Sequence, residues 1–160
     1  MNDALIQELI DRYVNVSFQV HKKAESLIKV ELGNDLTNDQ HYVLSYIHKA
    51  AECTSTELAD AFDVNKSAIT AIINRMADRG LIQRTRDKND RRVVYLTLTD
   101  NGQELYKSCQ EKVHQLVESI ITKFDETEIT TFINTYEKLA QILDNKKKEE
   151  LGENTSENDH

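Results

Sequence analysis

Apolar residues recur at steps of three and four over a long stretch at the start of the chain. The stretch runs from Leu5 to Leu32, and Gly33, Asn34 and Asp35 then interrupt it. This spacing is the period of an α-helix with one apolar face. A helix of that length extends roughly 40 Å, which is more than one small domain can cover, so the apolar face needs a partner. The stripe consists of Ile6, Leu9, Tyr13, Val16, Val20, Ala24 and Leu27, widened by Leu5, Ile10, Val14 and Ile28.

A second pair of long helices is predicted after Leu98. Thr99 or Asp100 can cap the first of them, and the run 125–128 opens the second after almost no loop. Two helices joined so closely form an antiparallel pair or turn sharply. Beyond Asn145 the chain is polar and acidic, so we expect disorder after about Leu151. The apolar positions are Leu105, Cys109, Val113, Leu116, Val117, Ile120, Ile121 and Phe124, then Ile129, Phe132, Ile133, Tyr136, Leu139, Ala140 and Leu143.

Between these long helices the pattern predicts three shorter ones. Each is preceded by a residue that can cap it: Thr37 with Gln40, Thr54 with Glu57, and Asn65 alone. The last two are separated by a turn of three residues, which is the signature of a helix-turn-helix motif. The inward faces are Val43, Leu44 and Ile47; then Leu58, Ala59 and Phe62; then Ile69, Ile72, Ile73 and Met76, with Gly80 ending the third helix.

After Gly80 the pattern changes to that of a β-hairpin. Residues 81–86 are followed by a polar tip at residues 87–91 and by the run 92–98, in which Val94, Leu96 and Leu98 alternate with a period of two. The predicted fold class is therefore mostly α with a small β-hairpin wing. It is a winged helix-turn-helix flanked by long N- and C-terminal helices.

The outward face of the helix that begins at Lys66 carries small, polar and basic side chains. Such side chains read base edges directly or through water when the N-terminal half of a helix enters the major groove. A solvated helix face is the alternative, and the neighbouring wing favours DNA. The predicted contact residues on this face are Lys66, Ser67, Thr70 and Asn74.

The arginines of the wing are predicted to contact DNA as well. Arg91 at the tip suits a narrow minor groove, where the potential is most negative, and Arg92 follows it. Asp87 and Asp90 are expected to hold the tip in shape. Phosphate contacts, which position a protein without reading sequence, are predicted for Arg75, Arg84 and Arg86. Carboxylates of the same chain are the alternative partners of these three arginines and of Arg79. The sequence does not decide between phosphates and carboxylates for any of the four.

Charge is distributed unevenly along the chain. The net charge of −8 argues against a nucleic-acid partner, because a protein binds nucleic acid largely by neutralising its phosphates with basic side chains. Residues 65–92, however, contain eight basic and three acidic side chains, a local charge of +5, which leaves −13 for the remainder. This asymmetry confines attraction for DNA to one face. At 160 residues with no Pro and four Gly, the chain is expected to form one mostly helical domain.

Five short motifs lie between Leu36 and Gly102. They are Leu36-Thr37-x-x-Gln40, Ser67-Ala68-Ile69-Thr70, Arg79-Gly80-Leu81-Ile82, Asp87-x-x-Asp90-Arg91-Arg92 and Leu98-Thr99-Asp100-x-Gly102. Together they resemble the MarR family of bacterial transcriptional regulators. Where that family commonly has Pro in the hairpin tip, this chain has Lys88.

The resemblance implies a homodimer that binds double-stranded DNA at a pseudo-palindromic operator, most often as a repressor. Burial of the long apolar stripes points to the same dimer, and a monomeric helical bundle is the alternative. The expected layout is one MarR-type domain at 1–150, with the winged helix-turn-helix at about 36–100. Dimerisation helices are expected at about 3–32 and 100–147, and a disordered tail at 151–160.

The resemblance also implies a pocket for a small lipophilic or aromatic effector between the dimer helices and the winged domain. Candidate lining residues are Tyr13, Phe18, Tyr42 and Tyr46, each of which also has a simple core-packing interpretation.

Redox or zinc sensing, known in this family, are the other variants. Cys53 and Cys109 are far apart and have no metal-ligand spacing, and the histidines (His21, His41, His48 and His114 among them) show no close ligand pair. No metal and no cofactor are therefore expected.

The rival function from another class is a helical adaptor that uses the wing to bind a partner protein. An enzyme is a distant third, because the sequence shows no nucleophile with its base, phosphate loop or metal motif. Met1-Asn2-Asp3 is not the start of a signal peptide, and no apolar run approaches the roughly 18 residues of a membrane span. A cytoplasmic location with no membrane contact is expected.

Overall fold

The computed structural model describes residues 1–156. It contains six helices and one hairpin in these residues. The elements are α1 (Asp3–Leu32), α2 (Asn38–Ala50), α3 (Ser55–Phe62), α4 (Lys66–Asp78), β1 (Ile82–Arg86), β2 (Val94–Leu98), α5 (Asp100–Ile121) and α6 (Glu126–Ser156).

The starts of the three short helices are fixed by the capping residues that the sequence predicts. Thr37 and Gln40 form a reciprocal capping box at α2, and Thr54 and Glu57 form another at α3. The side chain of Asn65 accepts a hydrogen bond of 2.8 Å from a backbone N–H in the first turn of α4. Because each cap satisfies backbone donors that the helix leaves free, the three starts are set locally.

The core lies between α2, α3, α4, the wing and the first half of α5. The inward faces predicted for α2, α3 and α4 are confirmed, with Phe62 and Ile72 half-buried at the margin. The buried apolar residues are Leu32, Leu36, Val43, Leu44, Ile47, Cys53, Leu58, Ala59, Ile69, Ile73, Met76, Leu81, Ile82, Leu96, Tyr106 and Cys109.

Two polar side chains, Gln40 and His41, are also buried. His41 packs 5.8 Å from the ring of Tyr106, between ring centroids, and its Nε2 has no hydrogen-bond partner among the described residues. Burial, reinforced by the nearby His114, lowers the pKa of His41. Burial therefore favours the neutral form of the imidazole.

The wing is a two-stranded antiparallel hairpin whose register runs from Ile82 opposite Leu98 to Arg86 opposite Val94. Cys53 adds a pairing that the sequence does not indicate. Its N–H donates to the carbonyl of Leu96 at 3.2 Å, and its carbonyl accepts from the N–H of Leu96 at 2.7 Å. A one-residue bridge has no period of its own, so pattern analysis cannot detect it.

The junction between α4, the wing and α5 is compact. Gly80 ends the turn after α4 with a positive φ of 73°, as expected for a helix C-terminus, and the N–H of Leu81 donates back to the carbonyl of Met76 at 2.9 Å. Thr99 caps α5, since its hydroxyl accepts from the N–H of Gly102 at 3.0 Å. The backbone of Gly102 approaches Leu81 closely enough that no side chain fits there.

The described residues group into two compact units, Met1–Leu116 and a second that begins at Val117. The sequence predicts one domain, and the division lies inside the continuous helix α5 rather than at a linker. None of the described helices is apolar for long enough to cross a lipid bilayer.

The end of α6 differs from the prediction of a helix to about residue 147 and disorder after Leu151. The helix continues to Ser156, and residues 157–160 lie outside the described part. The polar run cannot build a core, yet it contains good helix formers and an i,i+4 pair, Lys148 to Asp144 at 2.7 Å. Helix propensity and this ion pair favour a helix in a segment for which the lack of apolar residues had predicted disorder.

Candidate nucleic-acid interface

The outward face of α4 presents the side chains that the sequence assigns to DNA contacts. Ile69, Ile73 and Met76 hold the opposite face in the core, which leaves this row exposed. The exposed residues are Lys66, Ser67, Thr70, Asn74 and Arg75. Because Asn65 caps the helix with its side chain, the N-terminal turn of α4 is rigid at the end that would enter a groove.

The hairpin tip is held by Asp87. Its carboxylate accepts hydrogen bonds from the backbone N–H of Asn89 at 2.7 Å and of Asp90 at 2.9 Å, which closes a turn around Lys88. The N–H of Asp87 donates to the carbonyl of Val93 at 2.9 Å on the returning strand. Lys88 therefore occupies the place of the family's proline without loss of the turn, because the aspartate supplies the constraint.

Asp90 holds the second arginine of the tip. Its carboxylate accepts from Nε of Arg92 at 3.0 Å, from Nη2 at 3.1 Å, and from the backbone N–H of the same residue at 3.1 Å. The side-chain hydrogen bonds to Arg92 lower the pKa of Asp90, and the same contact raises the pKa of Arg92. Much of the positive charge of Arg92 is thus balanced within the tip.

Arg91, by contrast, is exposed, and its side chain makes no hydrogen bond or ion pair within the described residues. Its carbonyl accepts a hydrogen bond of 3.0 Å from Nη1 of Arg86, which fixes the backbone at the tip. The backbone of Arg91 is therefore fixed, while its side chain has no internal contact that must break before it can extend toward a groove.

The remaining arginines differ in how far the chain itself engages them, and the partners observed for Arg79 and Arg84 are carbonyl and amide oxygens rather than carboxylates. Arg79 is engaged within the chain, donating to the carbonyl of Asp35 at 2.6 Å and to the side chain of Gln40 at 3.3 Å. Arg75 is exposed on α4, and Arg84 donates from Nη2 to Oδ1 of Asn74. The phosphate contact of Arg75 therefore remains a prediction, whereas Arg79 ties the end of α4 to the turn before α2.

No ring contact joins the four aromatic residues assigned to an effector pocket in the described part of a single chain. Tyr13, Phe18 and Tyr42 are exposed. Tyr46 is half-buried and packs edge-on against Phe62, with ring centroids 6.3 Å apart. Tyr46 thus has the core-packing role, and a pocket that uses the other three remains a prediction.

Both cysteines are buried and free. Burial raises the pKa of the Cys53 thiol to about 11, with Glu57 adding to the effect. Burial raises the pKa of Cys109 as well. Since the thiolate is the reactive form, these environments favour the structural interpretation over redox sensing. Within the described residues, no group of three or more His, Cys, Asp or Glu side chains is placed to hold a metal ion.

Comparisons with known proteins point to one family. A sequence model of the MarR family matches residues 34–93. The Escherichia coli multiple antibiotic resistance protein MarR is 31% identical over 65% of this chain and 73% of its own length. The Bacillus subtilis transcriptional repressor MdtR is 28% identical over 72% of this chain and 75% of its own length.

Solved structures of such proteins share the fold described above. A cysteine-to-serine mutant of MarR from Escherichia coli, complexed with operator DNA, matches with a TM-score of 0.73 at 26% identity, over 81% of this chain and 94% of that one. FabT from Streptococcus pneumoniae, in complex with DNA, matches with a TM-score of 0.74 at 25% identity, over 87% of this chain and 98% of that one. These relatives favour a DNA-binding role over the protein-binding adaptor.

Proposed function

The chain belongs to the MarR family and is a DNA-binding transcriptional regulator, and we propose that it acts as a homodimeric repressor whose operator binding responds to a small lipophilic or aromatic ligand. The observation that carries the DNA-binding site is the exposed polar and basic face of α4 beside a wing whose tip presents the unpaired Arg91. We therefore propose DNA contacts for Lys66, Ser67, Thr70, Asn74, Arg75, Arg84, Arg86, Arg91 and Arg92.

The proposal of a homodimer rests on α1 and on the second unit, each considered by itself. Among the described residues of α1, Leu32 alone is buried, and large apolar side chains are exposed along the whole helix. Phe18 is 64% exposed and Val14 is 61% exposed. In the second unit Phe124, Phe132 and Tyr136 are also exposed. Contiguous apolar surfaces of this extent mark protein interfaces, and a symmetric dimer is the commonest way to cover them.

A two-fold dimer would present two α4 helices to one face of a DNA duplex. Each would enter a major groove, with the two grooves about one helical turn, or ~34 Å, apart, so that the operator repeats the same half-site in inverted orientation. The wings would reach the flanking minor grooves. Lys and Arg side chains in residues 65–92 would neutralise phosphates, and the excess of acidic residues elsewhere would disfavour other orientations.

Ligand response would follow from the separation of the two α4 helices. A ligand that binds better to a dimer with another spacing shifts the population away from the form that fits the operator. The exposed aromatic rings of Tyr13, Phe18 and Tyr42 are the candidates for contact with such a ligand. Because the target is genomic DNA, we place the protein in the cytoplasm.

The test is an electrophoretic mobility shift with full-length protein and the DNA upstream of its own gene, with excess non-specific competitor. A competitor-resistant complex that contains two chains per site supports the proposal. If competitor DNA abolishes binding to every promoter fragment of the genome, operator recognition is contradicted.

A salt titration of the same complex tests the electrostatic part of the proposal. Each neutralised phosphate contributes about 0.9 to the slope of log affinity against log salt, so binding should weaken steeply as salt rises. Affinity that does not depend on salt would contradict phosphate contacts by the basic residues of α4 and the wing.

A further inference from the structure

One hydrogen bond joins the DNA-facing row of α4 to a side chain of the wing. Asn74 lies in the third turn of α4, on the row that also contains Lys66 and Thr70 at steps of four. Oδ1 of Asn74 accepts from Nη2 of Arg84, which lies in the middle of β1. Both side chains are exposed at the surface that faces DNA in the proposed complex.

The hairpin register explains why Arg84, rather than a neighbouring residue, reaches α4. Arg84 is paired with Leu96, and paired residues project from the same face of an antiparallel ladder. Leu96 is buried, so this is the face that packs toward the core and α4. Gln83 and Thr85 project from the other face. The contact is thus set by strand register and not by a chance surface conformation.

The chemistry of arginine fixes the orientation of the Asn74 amide. A guanidinium has five N–H donors and no acceptor, so the amide atom that faces it must be the oxygen. The amide is planar, and its NH2 group therefore points away from Arg84. As long as the contact is present, Asn74 offers N–H donors to a base, while its oxygen already accepts one hydrogen bond and lies beside a positive charge, which makes it a weaker acceptor for a second donor.

This orientation matters because an asparagine that reads adenine needs both of its polar atoms. Its NH2 donates to N7 and its oxygen accepts from the N6 amino group. Guanine offers the acceptors O6 and N7 in the major groove, and thymine offers the acceptor O4. An asparagine held mainly as a donor fits guanine, in which N7 and O6 are both acceptors, and O4 of thymine. Adenine offers it N7 alone, and the amino groups of adenine and cytosine oppose a second donor.

We propose that Arg84 determines the base preference of Asn74 by holding its amide as a donor, so that Asn74 selects guanine or thymine at its base pair and disfavours adenine. Arg84 is in this sense a positioning residue for recognition. The inference rests on the proposed entry of α4 into the major groove. It extends that proposal from a set of contact residues to the chemistry of one base pair in each half-site.

The experiment is selection of bound sequences from a randomised duplex pool with the full-length protein and four variants. With Arg84→Ala, the freed oxygen allows the paired contact, and preference at one base pair per half-site should shift toward adenine by roughly tenfold. With Asn74→Ala, preference at the same base pair should disappear. With Asn74→Asp, the carboxylate still pairs with Arg84 but is acceptor-only, so preference should move to the amino group of cytosine.

Arg86→Ala is the matched control. It removes an equal charge from the same strand, but Arg86 donates to the carbonyl of Arg91 and not to Asn74. Its overall affinity should fall, while the preference at the base pair read by Asn74 stays that of the wild type. Thermal denaturation of each variant, with a transition like that of the wild type, shows that the fold is retained.

Identical base preferences for Arg84→Ala and the wild type would overturn the role of Arg84 while leaving DNA recognition by α4 intact. The same holds if Asn74→Asp selects the wild-type bases. Failure of the wild-type protein to enrich any sequence is a different result, because it overturns the proposed function and this inference together.

Discussion

At the scale of single residues, the arginines of the wing differ in how strongly the chain itself engages them. Arg92 is held by two hydrogen bonds to the carboxylate of Asp90, and Arg86 by one to the carbonyl of Arg91. The Arg91 side chain is exposed and has no such partner in the described residues. Of the three, it would lose no internal contact on reaching DNA, so the proposed interaction with a groove would be the least opposed.

Replacing Arg91 with alanine should therefore weaken operator binding without unfolding the protein. A side chain that reads a groove contributes about 1–3 kcal/mol, which corresponds to a roughly five- to 150-fold loss of affinity. An exposed side chain with no partner changes stability by less than about 0.5 kcal/mol. Fluorescence anisotropy with an operator duplex measures the first quantity, and thermal denaturation measures the second.

Lys88→Ala is the control for the charge that Arg91→Ala removes. Lys88 is exposed in the same tip, so its loss should reduce the salt slope by about 1 with a smaller loss of affinity. If the two variants lose the same affinity on every sequence, Arg91 acts as a general positive charge and not by insertion into the minor groove.

At the scale of elements, the first turn of α5 fixes the base of the wing. A Cβ on Gly102 would overlap the carbonyl oxygen of Leu81, which is backbone and cannot rotate away. The same carbonyl accepts a hydrogen bond of 3.1 Å from the N–H of Thr99. The end of α4, the start of β1 and the start of α5 thus share one point of close backbone approach.

Gly102→Ala should for this reason destabilise the fold by about 1–3 kcal/mol or more, the range for overpacked sites. Urea denaturation followed by circular dichroism measures the change. Gly152→Ala is the matched control, because no atom lies within 4 Å of its added Cβ. Alanine in a helix is favoured over glycine, so this variant should be neutral or slightly stabilising. Equal stability of the two variants would contradict the close approach at Leu81.

The packing of α2 on α5 predicts a dependence of stability on pH. Burial lowers the pKa of His41 in the folded chain, whereas the unfolded chain binds a proton with a pKa of about 6.5. The unfolded state therefore takes up more protons as pH falls below that value, so the stability present above it is progressively lost. Urea denaturation midpoints at pH 8 and pH 5 should show the decrease.

His41→Phe should flatten this dependence, because phenylalanine fills the same site beside Tyr106 and does not titrate. A wild-type slope in the His41 variant would assign the pH dependence to other groups.

At the scale of the whole molecule, the long helices carry apolar surface that the described chain does not cover. Val14 and Phe18 are one turn apart on α1, and both are more than half exposed. In a dimer this surface would be buried, and charged side chains placed there would oppose association.

The double variant Val14→Glu with Phe18→Glu should reduce the mass in solution from two chains to one. Its core is expected to remain folded, because Leu32 is the one residue of α1 among the described residues that is buried in the core cluster. Operator affinity should fall steeply, since one chain reads one half-site. Light scattering and anisotropy measure the two effects. A wild-type protein with the mass of one chain and full operator affinity would contradict the homodimer.

The helices, their starts and the wing are predictable from local sequence. Thr37, Thr54 and Asn65 each cap a helix through a partner three residues away, and the inward residues of α4 follow a period that depends on backbone geometry alone. Interactions over so short a separation survive in any fold that contains the element. The exposed row on α4 and the turn at the wing tip are predictable for the same reason.

The tertiary structure alone decided which charged and polar groups pair. Arg79 is drawn to Gln40 and Asp35, which precede it by 39 and 44 residues, and Arg84 to Asn74 on another element. A sequence records these side chains but not the distances among them, and each arginine had several acceptors to choose from. Packing of the elements sets those distances, so it separates the arginines bound within the chain from the exposed Arg91, the side chain that we propose enters a groove.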